Sequence, residues 1–170
     1  MALVLTGASV VLRDRVVQAD LHLDEGLIAG IGEAPPGVAR LDCASCIILP
    51  GFVDLHTNNV ERHVEPRPGM FWSPDHAVLA HDAELAGAGI TTAFDAITLG
   101  GRLLGLTRQE IANRVIRALD LAREARLLRI DHRLHLRCEL SDAALPAIIA
   151  ELEPMRPSLL GLVSTLTDLP

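Results

Sequence analysis

The 170-residue chain contains no lysine and no tyrosine, one tryptophan, three phenylalanines and three cysteines. Without lysine there is no carboxylated-lysine metal bridge, no Schiff base and no P-loop lysine, and all fifteen basic residues are arginines. With aromatics at 2% and apolar residues at 49%, a core must come from Leu, Ile, Val and Ala. No apolar run approaches the ~18 residues needed to span a bilayer, and Met1 to Ala8 lacks the basic start of a signal peptide. No membrane partner is therefore expected, and the cytoplasm is the expected location. A net charge of −7 argues against a nucleic-acid partner, although arginines gathered in one cleft can still hold phosphate through bidentate hydrogen bonds. Cys43 and Cys46 form an isolated CxxC and Cys138 stands apart, a pattern that predicts packed thiols rather than a zinc ribbon.

What is present is alternation. "LVLTGASVVL" and "VVQADLHLDEGLIAGIG" read as short strands punctuated by Gly and Asp, so residues 1–46 predict a small β layer. "CIILPG" is expected to open the next strand, running through His56. Ser73 with Pro74 at the first helical position starts a helix that should end at the glycines 87 and 89. "GITTAFDAI" predicts a strand. Thr107 and Glu110 form a capping box for a helix whose Ile111, Val115, Ala118, Leu119 and Ala122 share one face. "RLHLRCEL" predicts a strand, Ser141 a helix cap, and "SLLGLVSTL" a last strand. Strands alternating with helices imply parallel pairing. A complete (β/α) barrel takes about 250 residues, and residues 47–170 hold only about half of one. The expected class is α/β: a small N-terminal β layer, 1–46, and roughly the first half of a (β/α) barrel.

Because strand side chains alternate, Asp54, His56 and Asn58 are expected on one side of the first barrel strand. In "RLHLRCEL", Arg133, His135, Arg137 and Glu139 share one face, with Leu134, Leu136 and Cys138 on the other. Charged groups inside a barrel need partners, a metal or a charged ligand. His56, Asn58 and Glu139 are metal-ligand types at strand ends, where a held divalent ion would lower the pKa of water. Arg67, in "EPRPG", is a candidate phosphate contact, and Asp95 a candidate acceptor orienting a histidine of the barrel interior. His81 and Asp82 read as a surface pair or a loop cap. His63, His76 and His132 receive no role.

"CIILPGFVDLHTNN", "EPRPG", "AHDAELAGAGITTAFDAI" and "DHRLHLRCEL", in this order and spacing, together resemble the phosphonate-metabolism diphosphatases of the amidohydrolase superfamily, from about Leu3 to Val163. The resemblance implies a metal-dependent hydrolase on a (β/α) barrel, with zinc or manganese as cofactor. It also implies a phosphorylated ribose phosphonate as substrate, whose phosphates Arg67, Arg133 and Arg137 are expected to meet by residue type and placement, with His135 and Glu139 as catalytic candidates and His56, Asn58 and Glu139 as metal ligands. Where that family usually reads His-Thr-Asp-Asn, this chain has His56-Thr57-Asn58-Asn59, a neutral amide for an anion, and metal affinity should fall accordingly. The chain would correspond to the N-terminal portion of such an enzyme. Alone it should have little activity, or serve only as a half-barrel completed by self-association or a second chain. A superfamily hydrolase acting on a cyclic amide is the other alternative.

Overall fold

The computed structural model describes residues 2–32, 36–100, 102–103, 106–155 and 157–163, with the backbone alone at 102–103 and 106–107. The chain divides into two compact units, Met1–Pro50 and Gly51–Pro170.

The first unit is one β sheet. β1 (Leu3–Val11) pairs antiparallel with β2 (Val16–Asp24), which pairs with β3 (Leu27–Ile31), while β4 (Ala39–Asp42) and β5 (Ile47–Ile48) run parallel to β1. Alternation along β1 and β2 directs Ala8, Val10 and Leu21 to one side, where they pack with Cys43. The β1–β2 register slips between Leu5 and Ala8; Gly7 there has φ +71°, and its N–H donates to Asp20 Oδ1 at 3.0 Å. Positive φ at the bulge is the reason a glycine suits that position. "CIILPG" does not begin the barrel: Ile47 and Ile48 belong to this sheet, and the barrel's first strand starts after Pro50-Gly51. Of the two CxxC thiols only Cys43 is buried, while Cys46 is exposed.

The second unit holds β6 (Phe52–Thr57), α1 (Asn59–Val64), α2 (Pro74–Gly87), β7 (Ile90–Leu99), the short β8 (Arg102–Leu103) and β9 (Leu106–Thr107), α3 (Arg108–Glu124), β10 (Asp131–Glu139), α4 (Leu145–Leu152), a 3-10 turn (Glu153–Met155) and β11 (Leu159–Val163). β6, β7, β10 and β11 form one parallel sheet in the order β11-β10-β7-β6. The predicted face of α3 is the buried one, and it packs with Ile97, Leu99, Leu136 and Cys138 of the sheet and Val78 of α2. One face of the sheet therefore meets helices, and the other is the concave side of a half-barrel.

Gly89, at φ +80°, closes the turn from α2 into β7, and Phe52 N–H donates to its carbonyl at 2.9 Å, fixing the start of β6 beside β7. Ser141 is not the cap of α4. Its hydroxyl donates to Glu139 Oε1 at 3.1 Å, and Asp142 accepts the Ala144 N–H at 2.9 Å ahead of the helix. The side chain of Thr107, half of the predicted capping box, lies outside the described residues. So does the end of "SLLGLVSTL". β6 and β11, the sheet's outer strands, expose Phe52, Val53, Leu55, Leu160 and Leu162, the apolar rim expected of an open barrel. Among the described residues, no helix is long and apolar enough to cross a membrane.

Candidate functional site

Two sets of histidines occupy opposite faces of the four-stranded sheet. On the helix-facing side, Asp95 lies in line with Ala93, Ile97 and Leu99 of β7, and His132 with Leu136 and Cys138 of β10. α2 adds His81 and Asp82, and all four side chains are fully buried. Asp95 accepts from both rings, His81 Nε2 to Oδ1 and His132 Nδ1 to Oδ2, each at 2.8 Å. The other nitrogen of His132 lies 3.4 Å from Asp82 Oδ1. Asp82 also receives the Arg129 N–H at 2.7 Å, the Arg129 guanidinium at 2.8 Å and the Ile130 N–H at 3.2 Å.

Burial alone would drive these groups toward neutrality, but the hydrogen bonds win. Burial pulls His132 down, yet hydrogen bonds and charge from Asp95 and then Asp82 outweigh it and hold the imidazole above its ordinary pKa. Burial raises Asp95 and Asp82, and their histidine and Arg129 donors more than reverse that, leaving both carboxyls below the usual carboxylate range. Two carboxyls, the His132 ring and the Arg129 guanidinium thus form one hydrogen-bonded network. His81, Asp95 and His132 bring three donor atoms within 4.8 Å of one another, a spacing that also admits a divalent ion. In this structure those atoms are engaged in hydrogen bonds with one another and with Asp82, and within the cluster only His81 Nδ1 lacks a partner.

Sequence reasoning read His81 and Asp82 as a surface pair or a loop cap and gave His132 no role; both residues of the pair are buried, Asp82 does cap the neighbouring loop at Arg129 and Ile130, and His132 joins them. Neighbouring helical residues are about 100° apart, and the stripe of α2 that is buried runs Ala77-Val78, His81-Asp82, Leu85, two residues wide. The i, i+4 spacing of His81-Asp82 from Ala77-Val78 was the available signal. Asp95 does orient histidines, but on the helix-facing side rather than in the barrel interior.

On the concave side, His56 and His135 meet edge to face, their ring centroids 4.9 Å apart. β6 and β10 each flank β7, and the register of the pairings sets these two rings in neighbouring positions. His135 is 4% exposed, and neither ring nitrogen has a hydrogen-bond partner. Burial and then the charge of His56 lower its pKa. The Leu55 carbonyl pulls the other way without forming a well-aligned bond to the ring. A Cβ at Gly161 would lie 2.7 Å from His135 Nε2, so β11 can pass this nitrogen only because position 161 has no side chain.

Further toward the C-terminal end of the strands, a cleft of about 610 Å³ is lined by Arg137, Glu139 and Ser141 with Glu61, Arg108 and Asp142. Glu139 is four residues beyond His135 on the same face, roughly 13 Å along the strand, and it belongs to this cleft. The structure thus brings His56 to His135, and Arg137 to Glu139. Asn58 does not continue β6: it is the exposed residue before α1, in the N-cap position, and its side chain makes no capping bond. Arg67 is exposed in a loop, in a bridge to Met70. Arg133 lies six residues before Glu139, ion-paired with Asp131 at 2.8 Å and 5.9 Å over the Phe94 ring, away from the cleft.

No protein-family model matches the chain. The alpha-D-ribose 1-methylphosphonate 5-triphosphate diphosphatase of Escherichia coli (strain K12) is 33% identical over 139 residues, 81% of this chain and 37% of that protein. Among solved structures, a D-hydantoinase aligns with a TM-score of 0.57 at 20% identity, over 95% of this chain and 32% of its own. An adenosine deaminase from Xanthomonas campestris aligns with a TM-score of 0.58 at 15% identity, over 93% of this chain and 48% of its own. Identities this low speak to the fold alone. The chain is thus a relative of the ribose methylphosphonate triphosphate diphosphatase, built as the small β sheet and parallel half-barrel of the amidohydrolase fold, and it spans 37% of that relative's length.

Proposed function

We propose that the chain supplies part of a metal-dependent hydrolase that cleaves a phosphoric anhydride, with alpha-D-ribose 1-methylphosphonate 5-triphosphate, named in its relative, as substrate. The observation that carries the reading is His135, a buried imidazole with two unpartnered nitrogens beside His56 on the concave face. A buried polar atom without a partner costs free energy, and a cation bound by His56 and His135 removes that cost. Two imidazoles suit zinc, and the neighbouring adenosine deaminase structure carries it; manganese would draw more on oxygen donors such as Asn58. When bound, the ion would lower the pKa of water and polarise a phosphoryl oxygen.

The chain's own residues then divide the work. Arg137 holds a phosphate in the cleft beside Glu139, whose carboxylate accepts the Ser141 hydroxyl. Roughly 13 Å along the strand from His135, Glu139 is out of reach of a water held there, and that water's proton passes to solvent. The water oxygen bonds to phosphorus, the anhydride P–O bond breaks, and pyrophosphate leaves with the electron pair. Arg67 and Arg133 lie outside the cleft and are assigned no phosphate.

The test is pyrophosphate release by the purified chain loaded with zinc or manganese. The expected result is weak, metal-dependent turnover that His135→Ala abolishes. Turnover indifferent to metal and to His135 would defeat the reading, and a rate matching a full-length relative would defeat the expectation that the site is incomplete.

The exposed apolar edges of β6 and β11 favour a second element of the proposal, closure of the sheet by further strands through self-association or from a second chain. Light scattering of the purified chain tests the self-association: a dimer is expected, and a monomer would defeat it.

A further inference from the structure

Arg108 opens the 17-residue α3, and its guanidinium lines the same cleft as Arg137. A cation in the first turn of a helix opposes the helix dipole, and the position favours an accompanying anion. The anion present is Glu61, but the contact is loose: Arg108 Nη1 lies 3.7 Å from Glu61 Oε2, beyond hydrogen-bond length, with both side chains about a quarter exposed. Glu61 is itself tethered through its other oxygen, which accepts the Thr98 N–H at 3.3 Å. Among the described residues, Arg137 has no ion-pair partner. Among the described residues, the cleft thus holds one guanidinium in no ion pair and another held weakly, alongside the carboxylates of Glu61, Glu139 and Asp142, within a volume usual for small-molecule sites.

We propose that Arg108 is a second phosphate-contacting residue of the cleft, resting on Glu61 in the free protein and turning from it to the substrate's polyphosphate chain on binding. The proposal deepens the hydrolase reading by naming what holds the phosphates farther from the metal. Glu61 then acts as a competitor for Arg108 rather than as its structural anchor. That distinction has a sign. If the ion pair only shapes the cleft, breaking it from either side does the same damage; if Glu61 competes with phosphate, the two substitutions act in opposite directions.

Calorimetric titration of the metal-free chain with inorganic tripolyphosphate reads this without turnover. Arg108→Ala and Arg137→Ala are each expected to weaken binding by about tenfold to a hundredfold, the range for a lost charge-assisted hydrogen bond. Glu61→Gln is expected to bind as tightly as the wild type or a few times more tightly. No measurable binding by the wild type, an Arg108→Ala affinity within twofold of it, or a Glu61→Gln loss as large as that of Arg108→Ala would each overturn the proposal. If Arg108→Ala fails to fold, Arg108→Gln is judged by the same limits. A chain that binds tripolyphosphate in this pattern yet hydrolyses nothing would defeat the diphosphatase reading and leave this proposal standing.

Discussion

The helix-facing and concave sides of one β strand, β10, carry histidines three residues apart with opposite fates. His132 lies between two carboxyls, with both ring nitrogens facing an oxygen, and they hold its pKa above the ordinary value. His135 is equally buried, has no partner for either nitrogen, and is held toward the neutral form. The difference teaches how to separate a structural histidine from one waiting for a ligand: residue type and burial are shared, and satisfaction of the ring nitrogens decides.

The largest effect that could break this comparison is on stability. Asp95→Ala leaves two buried histidines without their acceptor, and breaking a buried charged network costs about 3–5 kcal/mol. For a chain of this size that lowers the melting temperature by roughly 6–20 °C. His135→Leu removes two unsatisfied nitrogens and should be nearly neutral or stabilising. Calorimetric melting of both variants checks the pair, and equal losses would erase the distinction.

A second effect is on pH. Asp82 and Asp95 have folded pKa values below the unfolded ones, so their contribution is present above the ordinary carboxylate range and is lost as pH falls through the folded values. His132 is raised, so its contribution is full below the ordinary histidine pKa and is lost as pH rises through the folded value. Urea midpoints should therefore be highest between about pH 4 and 6.5 and decline on both sides. An alkaline limb unchanged by His132→Asn would contradict the assignment.

The smallest effect concerns the arginines. Arg133 and Asp131 are both half-exposed, and such pairs contribute about 0–1 kcal/mol. Arg133→Ala should leave both melting and tripolyphosphate affinity nearly unchanged, in contrast to Arg137→Ala. Comparable losses in the titration would bring Arg133 back into the site.

Much of this was legible in the sequence, for identifiable reasons. Period-two alternation in "RLHLRCEL" gave the two faces of β10, and the spacing of Ile111, Val115 and Ala122 gave the buried face of α3. The partition of the polar face was not legible. Alternation says which side Arg133, His135, Arg137 and Glu139 share, but not that the seven residues from Arg133 to Glu139 separate them into a loosely exposed end, a buried middle and an open cleft. Asn58 was read as strand because it continues the pattern of Asp54 and His56; instead Thr57 ends the strand, and its Oγ1 accepts the Asn59 N–H at 3.2 Å as α1 begins. The buried network escaped notice because its members come from α2, β7 and β10, and partners 37 and 50 residues apart leave no local signature.

The proposal puts the divalent ion on the concave-side histidines, whereas the helix-facing ones are already engaged by the carboxyls of Asp95 and Asp82. Zinc titration of the chain with histidine side chains enriched in nitrogen-15, followed by NMR, tests it most directly. The prediction is that the ring resonances of His56 and His135 shift with added zinc while those of His81 and His132 stay in place. Shifts confined to His81 and His132 would contradict it.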